Sequence, residues 1–220
     1  MGNDGKEEIP ALNLFMMCKA PDRSAFREAP PGYRFRNCRP DELDFWKLMH
    51  FDVPPSQAVR DAYLRYMTEY FTNVYAVKGD LFYEKCLFVC GEDDKPVGSC
   101  FIWKAYDAFN TIHWLKVLKE CEGLGLGRAL LTAVMRDLDE DGYPVYLHTH
   151  PSSYRAIKLY SDFGFRLLTD PVIGYRRNDL DESMPILRKY MPEKDFNSLK
   201  YAEAPRDFLD AALSTEYSQF

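Results

Sequence analysis

The stretch Cys121-Glu122-Gly123-Leu124-Gly125-Leu126-Gly127-Arg128 constrains this chain more than any other. An apolar, strand-like run, Thr111 to Val117, precedes it. Leu126, Ala129, Leu130, Ala133, Val134 and Leu138 follow at helical spacing. The glycines therefore form a strand-to-helix turn. Alternating glycines open backbone conformations closed to other residues and leave room beside the chain. The first amides of the following helix lack partners inside it and sit at the positive end of its dipole. Together these features predict a cradle for an anion, with a phosphate as the natural occupant.

The remainder predicts one sizeable domain with extensions. With 220 residues, 46% of them hydrophobic and 15% aromatic, the chain can bury a substantial core. A formal charge of −6 leaves no basic footprint for nucleic acid and is compatible with an amine-bearing partner. No apolar run reaches the length of a membrane span, so no membrane partner is expected. Met1-Gly2 is followed by Lys6 where a myristoylation signal has Ser or Thr. The six cysteines contain no C-x-x-C, and the chain does not open on a secretory signal. They are expected to be reduced thiols in a cytoplasmic protein.

Residues 1–30 read as an N-terminal extension, 31–180 as the principal domain and 181–220 as a helix-prone tail, either packed or lid-like. Leu12 to Cys18 is a candidate short strand. Tyr33 to Arg36 reads as a first core strand. Pro40 opens a helix with a Leu43, Trp46, Met49 stripe, and Ala58, Tyr63, Tyr66, Met67 and Tyr70 mark a second. Cys86–Cys90, Pro96–Tyr106 and Phe109–Val117 read as strands, and the helix after the glycine turn runs on toward Gly142. Val145 to Thr149 is a strand, and Ser153 caps a helix closed by Gly164. Phe165–Leu168 and Val172–Arg177 form a terminal pair of strands. Antiparallel runs combined with crossover helices give a mixed sheet of α+β type.

Two familiar phosphate loops do not fit the turn. A dinucleotide site needs G-x-G-x-x-G and an acidic residue at the end of the next strand. Arg128 stands at the third glycine's place, and the next strand ends in His148-Thr149-His150. A Walker loop needs Gly-Lys-Ser/Thr, and Gly127-Arg128-Ala129 lacks the hydroxyl.

From Val117 through Arg128 the chain resembles the acyl-coenzyme A signature of the GNAT superfamily of N-acetyltransferases, Arg/Gln-x-x-Gly-x-Gly/Ala, with Gly125 and Gly127 at the small positions. Downstream, Ser153-x-x-Ala156-x-x-Leu159-Tyr160-x-x-x-Gly164-Phe165 is similar to the family's second motif, Asn-x-x-Ala-x-x-Leu-Tyr-x-x-x-Gly-Phe. Glu122 replaces the usual Arg or Gln, unfavourable beside a diphosphate by roughly 1 kcal/mol at an exposed site. Ser153 replaces the usual Asn with a shorter hydrogen-bonding group. The resemblance covers about residues 33 to 177 and leaves both extensions unexplained.

The resemblance implies a GNAT-like α+β fold, a mixed and mostly antiparallel sheet flanked by helices, with N- and C-terminal extensions. It implies transfer of an acetyl group from acetyl-CoA to a primary amine of a small molecule or peptide, by direct attack and without a metal. A homodimer is compatible with it. The alternative is a non-catalytic acyl-CoA-binding module. Cofactor contacts are expected from Val117, Lys119, Gly123, Leu124, Gly125, Leu126, Gly127, Arg128 and Ser153. Tyr160 would be the phenol that protonates the departing sulfur, although the same ring could be plain core.

For the base, His113 shares strand parity with Leu115 and Val117 and so could face the cofactor groove. His150 is the second choice. His148 and His150 share a face without an evident third ligand, so no metal site is expected. Tyr63, Tyr66, Tyr70 and Phe71 either line an acceptor pocket or belong to the core.

Overall fold

The computed structural model describes residues 9–215 and 217–220. Residues 1–8 of the expected extension, with the Met1-Gly2 reading, and Glu216 of the tail lie outside the described residues. Strands β1 (Leu14–Cys18) and β2 (Arg34–Asn37) precede helices α1 (Leu43–Leu48), α2 (Gln57–Tyr70) and α3 (Leu81–Lys85). Strands β3 (Leu87–Cys90), β4 (Pro96–Ala105) and β5 (Phe109–Val117) lead into α4 (Leu126–Arg136). Then come β6 (Val145–Thr149), α5 (Tyr154–Asp162), β7 (Arg166–Leu168), β8 (Val172–Ile173) and β9 (Arg176–Arg177). The tail carries α6 (Leu180–Tyr190), α7 (Glu193–Asn197), β10 (Tyr201–Ala202) and α8 (Arg206–Ala212). These elements form two compact units, Met1–Arg23 with Pro144–Ser218, and Ser24–Tyr143 with Gln219–Phe220.

In the unit of residues 24–143, β2 to β5 pair in succession, all antiparallel. Tyr106 and Asp107, both at φ 54°, turn the β4–β5 hairpin in the conformation that matches strand twist. Trp46, Tyr75, Phe82, Phe88, Phe101 and Trp103 fill the core on one side of this sheet. Tyr75, wholly buried, ends a π-turn over Phe71–Tyr75 that continues α2. Helix α4 buries Leu126, Ala129, Leu130 and Met135. Gly98 of β4 makes room for it: a Cβ there would stand 2.8 Å from the Lys116 carbonyl and 3.2 Å from Leu130 Cδ1. Helix α4 ends at Arg136 rather than near Gly142. The acids Asp137, Asp139, Glu140 and Asp141 oppose the negative end of a helix dipole, and Gly142 instead closes a short 3-10 turn.

The other unit holds β1 and the elements of the tail. Strand β1 pairs antiparallel with β6 (Met16↔Leu147) and with β7 (Met16↔Leu167). All five of its residues are at most 1% exposed. Flanked on both edges and covered on both faces, it carries a continuous apolar run, Leu-Phe-Met-Met-Cys, instead of alternation. Strand β10 joins β7 in parallel, which makes the sheet mixed. The tail is packed: Leu187 and Phe208 are wholly buried, and Phe208 stacks on Tyr146 at 3.7 Å. Val172–Arg177 does not pair with β7. It folds back on itself as the β8–β9 hairpin around Gly174 at φ 60°. No described helix is long and apolar enough to cross a membrane.

Candidate active site

The glycine turn belongs to the 24–143 unit. After β5 the chain makes a 3-10 turn, Lys119–Cys121, and then two left-handed residues, Gly123 (φ 81°) and Gly125 (φ 82°). Those angles strain any residue with a Cβ by about 1–2 kcal/mol, and nothing lies within 4 Å of a Cβ built at either position. Gly125 is the N-cap of α4, and its carbonyl accepts the first intrahelical bond, from Ala129 N–H at 3.0 Å. The amides of Leu126, Gly127 and Arg128 thus open an 11-residue helix, with no carbonyl of that helix to bond. Leu126 is buried and anchors the turn, while Gly123, Leu124 and Gly125 face solvent. Backbone donors, open space and a helix dipole fit a diphosphate. Arg128 points partly elsewhere: its Nη1 donates to the Ala25 carbonyl at 3.1 Å. Lys119 is exposed, and Val117 is half-buried opposite Gly98.

His113 does not face this turn's groove by parity. Ser99 lies opposite Lys116 and Phe101 opposite His113, so Trp114 and Leu115 together stand opposite Cys100. This β-bulge reverses the facing of every residue beyond it. His113 is 3% exposed, and burial pushes its pKa down to about 3. Both ring nitrogens are engaged. Thr111 donates its hydroxyl to the Trp103 carbonyl at 2.9 Å and so accepts from His113 Nε2–H at 2.8 Å. Tyr75 donates to His113 Nδ1 at 2.6 Å and accepts from Trp114 Nε1–H at 2.8 Å. A neutral imidazole held in one tautomer is poorly placed to accept an ammonium proton.

The same network fixes Trp114, which sits at φ 50°, an outlier for a bulky residue. Tyr75 holds its indole, and Ser99 Oγ donates to its carbonyl at 2.9 Å. Tyr75 and Ser99 were not singled out by pattern. From Ile112 to Val117 the adjacent apolar pair Trp114-Leu115 breaks the alternation and signals a bulge.

In the other unit, Tyr160 is 6% exposed on α5, its ring 5.8 Å from Phe165. Ser153 is the N-cap of α5 but makes no side-chain capping bond. His148 donates from Nε2 to Asn13 Oδ1 at 3.0 Å and accepts at Nδ1 from Arg176 at 3.1 Å. Burial, Arg176 and His150 push its pKa down to about 2. His150 donates from Nδ1 to the Leu12 carbonyl at 2.8 Å, which leaves Nε2 as its acceptor nitrogen. Among the described residues, no group of three or more metal-ligating side chains comes together. A groove of about 560 Å³ lined by Asp44, Leu64, Arg65, Thr68 and Glu69 contains none of the expected site residues.

The mixed, mostly antiparallel sheet flanked by helices, with a glycine turn opening α4, is the GNAT-like architecture that the resemblance implies. The acetyltransferase (GNAT) family model matches residues 53–165, half of the chain, and the protein belongs to that family. Among solved structures, a tandem GNAT protein from the clavulanic acid biosynthesis pathway is 15% identical, with a TM-score of 0.50 over 72% of this chain and 50% of that one. A GCN5-related N-acetyltransferase from Sphaerobacter thermophilus is 20% identical, with a TM-score of 0.46 over 72% of this chain and 49% of that one. A GNAT-family protein from Novosphingobium aromaticivorans is 19% identical, with a TM-score of 0.45 over 77% and 62%. The chain thus spans about half the length of the first two. A comparison with curated proteins returns no match.

Proposed function

We propose that the protein transfers an acetyl group from acetyl-CoA to a primary amine of a small molecule or peptide. The observation that carries this reading is the pair of left-handed glycines opening α4 in a chain of the GNAT family. The amides of Leu126, Gly127 and Arg128 hold the diphosphate, with Val117, Lys119, Leu124 and Ser153 as further cofactor contacts. The thioester supplies the acetyl group: the amine nitrogen forms the new C–N bond as the C–S bond breaks, nitrogen loses a proton and sulfur gains one. Tyr160 serves as the acid for sulfur, a role resting on its place in the second motif. For the nitrogen's proton, His150 has an acceptor nitrogen, whereas both nitrogens of His113 are committed.

Titration calorimetry with acetyl-CoA, together with CoA release across a panel of amines, tests this. The wild type should bind and release CoA. Gly125→Val, a β-branched residue forced to φ 82°, should lose binding. Tyr160→Phe should keep binding and lose release by roughly 100-fold. Absence of binding at millimolar concentrations, or unchanged binding by Gly125→Val, would overturn the proposal. Binding without release of CoA to any amine would leave a non-catalytic module.

A further inference from the structure

The face of α2 that carries Tyr63, Tyr66 and Tyr70 is continued by Trp114 of β5. Spacings of three and four residues align the tyrosines on one side of the helix. Ring centroids step from Tyr63 to Tyr66 at 6.1 Å, to Tyr70 at 6.4 Å and on to Trp114 at 6.0 Å. Phe51 closes the outer end, 4.8 Å from Tyr63, and Trp46 backs the inner end, 5.6 Å from Trp114. A stripe wholly inside the core would be buried along its length. This one is graded: Tyr66 is 54% exposed, Tyr63, Tyr70 and Trp114 are half-buried, and Trp46 is buried.

The inner end is also where the backbone is least relaxed. Trp114 keeps φ 50° because Tyr75 and Ser99 hold its indole and its carbonyl. Such conformations persist only where the surroundings over-determine them, and they cluster where ligands are held. The result is a fixed aromatic end wall to a partly solvated row of rings.

We propose that this row binds the acceptor, and that the acceptor's amine is carried on a flat aromatic body by a short linker. The inference rests on the acetyl-transfer reading above and adds the substrate class to it. The half-exposed rings favour another ring in an offset or edge-to-face arrangement, as His50 already stacks on Tyr63 at 5.6 Å. The same faces attract the ammonium form as it approaches. Alkylamines would gain the second interaction without the first.

The test compares 2-phenylethylamine and tryptamine with n-butylamine, by CoA release and by direct calorimetric titration. Wild type should prefer the ring-bearing amines by roughly tenfold in kcat/KM, the worth of one good ring pair. Tyr66→Ala removes an exposed ring, so folding should survive, and the preference should fall toward unity through KM, with Tyr66→Phe restoring it. Acetylation of butylamine as efficient as that of phenylethylamine, or a preference untouched by Tyr66→Ala, would overturn the inference while leaving acetyl transfer intact. If no amine is acetylated, the transfer reading fails. The titration then still decides: tryptamine binding weakened by Tyr66→Ala supports the row as a binding face, and no binding overturns it.

Discussion

Lowering the pH from 7 to 5 should destabilise this protein by about 2 kcal/mol for each of its two buried, neutral histidines. Burial moves His113 from 6.5 to about 3, and burial with Arg176 and His150 moves His148 from 6.5 to about 2. At pH 5 neither ring is protonated in the folded chain, while each takes a proton once unfolded. Protonation therefore stabilises the unfolded state. The stability is fully present above 6.5 and is lost as pH falls toward the folded values. Over the 1.5 units between 6.5 and 5, at about 1.4 kcal/mol per unit, each histidine loses about 2 kcal/mol and the pair about 4. That is a large share of the roughly 5–15 kcal/mol that holds a domain together.

The two carboxylates held by arginines, Glu42 and Asp94, act mainly below this window. Arg36, Arg39 and Arg34 hold Asp94 down at about 2, and Arg36 holds Glu42 below its ordinary range. Their stability is present above the ordinary carboxyl values near 4 and is lost only below them. Guanidinium unfolding of wild type and His113→Gln at both pH values is the assay. The variant should be weaker at pH 7, having broken the Tyr75 and Thr111 bonds, yet its drop between the two pH values should shrink from about 4 to about 2 kcal/mol. Equal wild-type stability at pH 7 and 5, or a His113 ring resonance titrating near 6.5, would refute the reasoning and restore His113 as a candidate base.

Gly98→Ala should destabilise by about 1–3 kcal/mol, because the added methyl meets the Lys116 carbonyl at 2.8 Å where no flexible side chain can yield. A melting temperature unchanged within a degree would contradict it. Phe208→Ala should cost about 3–5 kcal/mol by emptying the stack on Tyr146. Denaturant unfolding of that variant matching wild type would contradict the packing of the tail.

Much of the fold was legible because its elements carry their own periodicity. Strands β5 and β6 have the bounds expected of them, and α2 follows its tyrosine and methionine stripe. Elements that take their meaning from neighbours were harder to see. Strand β1 looked like part of an extension, since Leu14–Cys18 has no alternation and stands apart from the other strands; pairing with β6 and β7 makes it core. The tail's Phe208 and Leu187 have a helical spacing that fits docking or a lid equally well, and only their burial decides. The glycine turn was legible for the opposite reason. Left-handed backbone at Gly123 and Gly125 is a local property that glycine announces by itself.

The facing of His113 shows where pattern reasoning stops. Alternation carries a side chain's facing along a strand only while the register is unbroken. Counting back from Val117 and Leu115 to His113 crosses the one place where two residues oppose Cys100. One extra residue therefore turns the His113 ring into the core. Nothing local to Trp114 demands the bulge, since a tryptophan at φ 50° is disfavoured on its own. What holds it there is distant in sequence: a hydroxyl from Ser99 on β4 and another from Tyr75 at the end of the π-turn after α2. Those two contacts set Trp114 at the inner end of the tyrosine row, and the same Tyr75 hydroxyl donates to His113 Nδ1. The burial of His113 and the proposed acceptor wall both turn on one backbone irregularity, and a Ser99→Ala, Tyr75→Phe double variant that relaxed the bulge should disturb both together, seen as a shifted His113 ring resonance and a lost preference for ring-bearing amines.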